Sequence, residues 1–354
     1  MIFQLPANNW LKGGSVYLRF AISGAGTGTF NFLGPNSSAS MIIKRLTVYC
    51  GSQVVEQIFN HHVLYNQLVS HFSNTGYVIN DLNITEGAVV PPASPNAYGV
   101  TNQYQFCIPL LSGLLQNSKA LPLWMLRSGG LRIEIELAQT SEVAVPIGVG
   151  TLTSYTVSQP ELVYQEIQCD PEYNTAIMQR MQSGSVFELP FNSFMGFQTS
   201  NSGSVTYTTG LNVSSLSGVF FGENVTANPY GTLQNNDTQQ WSPRVLVDSN
   251  QLIQFNTNSN ADKFLELRRT GCQVFDTSVC GVPTNSTYPS GYYLLAQSAK
   301  KFDESGMVMR GTPCSNMVLE IVHNGATAAS TLFVWAAYEG IILISQDGSV
   351  AVSK

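Results

Sequence analysis

Hydrophobic and polar positions alternate most strictly from Leu131 to Leu137. Leu131, Ile133, Ile135 and Leu137 fall on one side, and Arg132, Glu134 and Glu136 on the other. Such period-two patterning predicts a half-buried strand, because successive side chains point to opposite faces. Just upstream, Gln105 to Leu111 is an apolar strand that runs into Pro109 and a leucine-rich turn, Leu110 to Leu115. Between them lies a compact apolar step, Ala120-Leu121-Pro122-Leu123-Trp124-Met125-Leu126, closed by Gly129 and Gly130. A strand, a helical step across the end of a sheet and a return strand are the expected elements.

Before this stretch, Val16 to Ile22 alternates with Val16, Leu18, Phe20 and Ile22 inward. Gly24, Gly26 and Gly28 then predict a turn before Phe30 to Leu33, and Met41 to Tyr49 is a further strand. From Val54 to Phe72 the apolar residues recur at three and four, which predicts an amphipathic helix stopped by Ser73, Asn74 and Gly76. A loop rich in Pro, Ala and Asn follows from Gly87 to Ala97. After Leu137 come a Gly/Thr/Ser tract, Gly148 to Ser158, and a strand from Glu161 to Ile167. Asp170-Pro171-Glu172 then predicts a short helix through Met181, with aspartate as cap and proline in the first turn.

The second half repeats the order of the first. Strands are expected at Val186–Leu189, Val205–Val213 and Gly218–Phe221, and a helix at Asn260–Gly271 with Asn260 as cap and Gly271 as stop. Further strands are expected at Tyr292–Leu295, Met317–Val322 and Leu332–Ile344, with a step at Met307-Val308-Met309 and Gly311. The recurrence implies an internal duplication: residues 1–170 as one unit, a linker with a short helix at 171–184, and residues 185–354 as a second unit. Many short strands joined by Gly, Ser and Asn turns make each unit an all-β sandwich. A jelly roll of eight strands accommodates a helix in one of its end loops.

Composition sharpens this picture in one respect. Of 354 residues, 44% are apolar, ample for two cores, but only 11% are charged, against about 25% for ordinary soluble domains. A surface of neutral polar groups suits a protein covered by neighbours, although strand-rich chains also use few charges. The net charge of −6 and the absence of a basic stripe argue against direct nucleic-acid binding. The N-terminus has no secretory pattern, and the most apolar tract, Leu332 to Ile344, is interrupted by Glu339 and Gly340 and too short to span a bilayer. The expectation is a chain made in a reducing cytosol.

The step Lys119 to Leu126, the alternating strand after it, and Glu161-Leu162-Val163-Tyr164-Gln165-Glu166-Ile167 together resemble the first domain of double jelly-roll major capsid proteins. Proteins of this family build large eukaryotic DNA viruses, virophages, Polinton-like viruses, adenoviruses and tailless membrane-containing bacteriophages. The resemblance implies a homotrimer whose six jelly rolls form a pseudo-hexameric capsomer tiling an icosahedral shell. It also implies neighbouring capsomers, penton proteins and minor capsid proteins as partners, a place in the virion, and synthesis in the host cytoplasm. The chain is short for the family, so its surface loops should be small, and its second unit has Met307 to Met309 where the first has Leu-Pro-Leu.

Candidate chemistry is sparse. His61, His62 and His71 lie on or beside the first helix and His323 follows a strand, with no metal-ligand spacing, so the three are expected on the helix surface. Cys50, Cys107, Cys169, Cys272, Cys280 and Cys314 show no CxxC spacing. Cys272 and Cys280, flanking a loop, are the one candidate disulfide. Glu134/Glu136 and Glu320/Glu339 are the only acidic pairs resembling a glycosidase dyad, and the first pair shares the outer face of a strand. Gly24 to Gly28 has no lysine to complete a phosphate loop, and Ser128-Gly129-Gly130 has no helix behind it. No catalytic, cofactor or metal residue is therefore assigned. Six glycosylation sequons, at Asn36, Asn83, Asn212, Asn224, Asn236 and Asn285, are expected to be turn residues. A structural capsid role leads. Its alternatives are a tandem jelly-roll carbohydrate-binding or attachment protein, using neutral loops rich in Asn, Tyr and Trp, and a hydrolase on the same scaffold.

Overall fold

The computed structural model describes all residues except 74–76, 90–95, 127–128, 226–241, 254–258, 276–293, 303–308 and 323–328. The alternating stretch forms the strand Leu131–Leu137, with Leu131, Ile133 and Ile135 buried. It lies between Ile2–Leu5 and Ile43–Cys50, and Gln53–Phe59 completes this antiparallel sheet. The facing sheet is built on Tyr17–Phe32, which pairs with Ala144–Val163 on one side and with Tyr98–Gly99 and Tyr104–Pro109 on the other. Between the sheets, Phe20, Phe30, Phe32, Tyr98 and Phe106 form an aromatic cluster with ring centroids 5.2 to 5.9 Å apart. The apolar step becomes the two-residue strand Leu121–Pro122 and the 3-10 turn Leu123–Met125, as the sequence suggests.

The same pairing plan recurs after residue 186. Val205–Thr209, Met317–Val322, Ser242–Val247 and Asn250–Gln251 form one sheet. They correspond in order and partners to Ile2–Leu5, Leu131–Leu137, Ile43–Cys50 and Gln53–Phe59. In the facing sheet, Val213–Val225 pairs with Leu295–Ser298 and with Ser330–Ile344, as Tyr17–Phe32 pairs with Tyr104–Pro109 and Ala144–Val163. The second sandwich also has the strand Phe187–Asn201, paired along the whole length of Ser330–Ile344 without a register shift. Val350–Ser353 closes the chain against Ile341–Ile344. The two sandwiches form the double jelly roll expected from the sequence, each with a helix after its hairpin: His61–Phe72 in the first and Asn260–Phe275 in the second.

Four local expectations are corrected. Val54 to Phe72 is not one helix, for its first part is the strand Gln53–Phe59. An extra residue at Val55, where the pairing jumps from Tyr49↔Val54 to Val48↔Glu56, shifts the phase of the strand. Val55 and Ile58 are therefore both buried at a spacing of three, which imitates a helix. Asn60, in the left-handed region at φ 52°, separates strand from helix. Gly24 to Gly28 is not a turn but the middle of Tyr17–Phe32, and the Gly148 to Ser158 tract opposite it is the middle of Ala144–Val163. The small residues are needed because bulges bring the two backbones together: a Cβ on Gly26 would lie 2.0 Å from the Thr151 carbonyl oxygen. Finally, Gly271 does not stop its helix, which runs on to Phe275, and Ser259 rather than Asn260 caps it, its hydroxyl accepting from the Asp262 amide at 3.1 Å. The helix Pro171–Gln182 forms as expected, with Asp170 accepting from the Glu172 amide at 3.3 Å. The expected strand Tyr292–Leu295 and the Met307 to Met309 step fall largely outside the described residues.

Candidate functional site

The acidic pairs do not converge. Glu136 is held by Arg45 at 2.7 Å and Glu134 by Arg132 at 3.3 Å, with the Tyr49 hydroxyl donating to Glu134 at 3.0 Å. Both carboxylates lie on the outer face of a sheet. Glu320 and Glu339 sit in opposite sheets of the second sandwich, paired with Arg244 at 3.6 Å and Lys300 at 2.8 Å. Among the described residues no group of three His, Cys, Asp or Glu side chains is placed to hold a metal ion, and no helix is long and apolar enough to cross a membrane. Cys50, Cys107, Cys169, Cys272 and Cys314 are free thiols, while Cys280, His323, Ser128, Trp241, Asn236 and Asn285 lie outside the described residues. The side chains of Asn36 and Asn224 are buried, which leaves no room for a glycan at those two sequons.

The histidines are where expectation fails. His61, His62 and His71 are fully buried rather than on a helix surface. Their helix lies beneath the helical segment Val78–Glu86 on one side and meets the second sandwich on the other, so it has no exposed face to offer. Burial holds the His61 imidazole near pKa 3, with His62 adding to the effect, and His62 near 4. Burial keeps both rings neutral, with the charges of Glu142 and Lys44 acting on His62 in opposite senses and His61 stacked on Tyr65 at 6.0 Å.

Two clusters of buried polar groups among the described residues carry carboxyls with raised pKa values. The first is the seam between the sandwiches. Glu56, fully buried on Gln53–Phe59, accepts from the Ser112 hydroxyl, from the Gly113 amide at 2.8 Å and from the Leu114 amide at 3.1 Å, and Ser193 of the second sandwich lies beside it. Burial raises its pKa, and these hydrogen bonds and the nearby Ser193 pull it partly back. Around it the backbones touch. A Cβ on Gly113 would lie 1.4 Å from the Asn192 carbonyl oxygen, and one on Gly196 would lie 2.3 Å from that of Phe59. Asn117 donates to the Pro190 carbonyl at 2.6 Å. Further along, a Cβ on Gly271 would meet the Phe72 ring at 2.0 Å, so the two helices also meet across the seam. A cleft of about 640 Å³ opens beside Glu56's partners, lined by Ser112, Gly113, Lys119, Asn192, Phe194 and Tyr338 among others.

The second place is under Val78–Glu86. Glu86, at the C-terminal end of that segment, accepts from the Ser38 hydroxyl at 2.6 Å and the Tyr65 hydroxyl at 2.5 Å. Burial pushes its carboxyl up to about 7 despite these bonds. Ser38, Ser40 and Asn66 extend the network, all of them buried. Sequence reasoning missed Glu56, Glu86 and Trp10. Trp10 joins three parts of the chain, donating to Asn174 of the linker helix at 3.0 Å and packing on Trp124 and Phe187. Glu86 had one legible signal: an acid at a helix end followed by glycine, where the helix dipole disfavours a carboxylate. Glu56 had none.

Comparison with known proteins places this geometry. No protein-family model matches the sequence, and no curated protein matches it. Solved structures do match over nearly the whole chain. The PBCV-1 virus capsid model has 12% identity and a TM-score of 0.66, covering 100% of this chain and 92% of that one. The Faustovirus major capsid protein has 10% identity and a TM-score of 0.64, covering 97% and 87%. The mavirus major capsid protein has 11% identity and a TM-score of 0.55, covering 99% and 86%. The chain has the double jelly-roll fold of these viral major capsid proteins.

Proposed function

We propose that this chain is a structural major capsid protein whose activity is self-assembly. The observation that supports it best is the match of both sandwiches together to viral major capsid proteins, with nearly complete coverage on both sides. In this reading residues 1–170 and 185–354 are two jelly-roll domains joined by a linker at 171–184. Three copies form a pseudo-hexameric capsomer, and capsomers tile an icosahedral shell with penton and minor capsid proteins. The protein is made in the host cytoplasm and resides in the virion. The seam supports the reading in physical terms. A building block must hold both its jelly rolls in one orientation to present constant edges to its neighbours, and backbone contact at Gly113 and Gly196 leaves little play.

The test is sedimentation and negative-stain imaging of the purified full-length protein across concentration and salt. The expected result is a stable trimer and, on concentration, hexagonal particles or sheets. A monomer under every condition overturns the proposal.

A further inference from the structure

The matching of strands between the two sandwiches leaves one place unfilled. In the second sandwich, Ser330–Ile344 lies between Val213–Val225 and Phe187–Asn201, and Leu332, Val334, Trp335 and Ile342 are fully buried. Its counterpart in the first sandwich, Ala144–Val163, pairs with Tyr17–Phe32 on one side, and among the described residues no strand lies on the other. The consequence appears in burial. Leu18, Phe20 and Ile22, one strand in, are fully buried, whereas Leu152, Tyr155, Val157 and Leu162 pack against the core but remain half-exposed. Ile147 and Val149 project into solvent, the latter entirely.

This edge has an unpaired row of backbone N–H and C=O groups, which natural proteins usually blunt with charge, proline or bulges. From Ala144 to Pro160 it carries no charged residue. Pro146 and Pro160 stand near its ends, and register shifts divide it, so its longest unbroken run is Ser154–Ser158. The edge is thus protected at its ends and open in the middle.

We infer that the open edge of Ala144–Val163 binds an extended segment of another polypeptide chain, which adds as a strand and completes the first sandwich. Phe187–Asn201 indicates what fits. Its first part alternates Phe187, Leu189 and Phe191 on one face, with Leu189 and Phe191 buried, and its single charge is Glu188. Main-chain hydrogen bonds supply affinity in such strand addition, and alternate side chains supply specificity. An uncharged edge admits an uncharged strand without desolvating an unpaired ion. The inference does not depend on capsid assembly, because the edge is read from one chain's own topology.

The test uses the full-length protein and two probes. A synthetic peptide with the sequence of residues 187–201, made soluble by terminal lysines, is compared with a scrambled peptide by hydrogen exchange. The expected result is protection of amides in 144–163, strongest at Ser154–Ser158, by the first peptide alone. In a separate variant the segment 187–204 is appended before Met1, so that it enters the strand Ile2–Leu5 as Phe187–Asn201 enters Val205–Thr209. This variant is expected to melt several degrees higher, at about 2–4 °C for each kcal/mol gained. Equal protection by both peptides, or no protection together with an unchanged melting temperature, overturns the inference. Assembly of the wild-type protein is read separately, so either idea can fail alone.

Discussion

Glu86 is a carboxyl with no cation among the groups that act on it, and its pKa is raised to about 7 from an ordinary 4.5. A raised folded-state pKa means that its neutral form favours the fold. That contribution is complete below about pH 4.5 and is lost as pH rises through 7, a swing of about 3 kcal/mol. Glu86→Gln keeps an acceptor for Ser38 and Tyr65 without the charge. It should match the wild type near pH 5 and exceed it increasingly towards pH 8, as urea midpoints across pH would read. His61 titrates in the opposite sense. Its ring is neutral at pKa about 3 when folded against 6.5 ordinarily, so stability is full above 6.5 and falls as pH drops towards 3. Among the described residues neither of its ring nitrogens has a hydrogen-bond partner. His61→Leu should therefore cost under about 1 kcal/mol at pH 7.5, and should gain on the wild type as pH falls below 6.5. A constant difference between the two across pH would show that folding does not shift the titration of this imidazole.

At the level of elements, period-two alternation identified Leu131–Leu137 and Met317–Val322 because each has one face on a core and one in water. It failed at Gln53–Phe59, where a bulge changed the phase, and at the two glycine tracts, where small residues mark bulged strands rather than turns. Gly271 misled for a related reason. Glycine in a helix usually signals its end, but here it makes room for a ring on another element. Replacing a mid-helix glycine by alanine ordinarily gains about 1 kcal/mol. Gly271→Ala should instead lose about 1–3 kcal/mol, because the added methyl must displace Phe72, which packs against Phe220 at 6.3 Å. In the background of Phe72→Leu the same change should cost much less. A double-mutant cycle by chemical denaturation measures the coupling, and additive losses would place the cost in the helix rather than between the helices.

For the molecule as a whole, the duplicated plan was legible because each half repeats its own order of strands, helix and step. The joint between the halves was not, since its parts are separated by 79 residues at Gly113 and Asn192 and by 199 at Phe72 and Gly271, and none is unusual by itself. Glu56 looks like any polar residue of a strand, and Gly113 like any turn glycine, until Ser193 and Asn192 are brought against them. The same joint decides how the molecule should unfold. Two sandwiches linked only by a helix would melt separately, while two whose backbones meet at Gly113 and Gly196 should melt as one unit, with calorimetric and van't Hoff enthalpies in agreement. Glu56→Ala removes the acceptor for the Ser112 hydroxyl and for the Gly113 and Leu114 amides at once, in the turn that carries Gly113 against Asn192. Each donor left unsatisfied in a buried site costs about 1–3 kcal/mol, and the loss falls on the seam rather than within either core. The variant should therefore show a calorimetric enthalpy exceeding the van't Hoff value, with a first transition well below the wild-type melting temperature. A single transition merely shifted downward would mean that the close backbone contacts at Gly113 and Gly196, and not Glu56, make the two sandwiches one cooperative body.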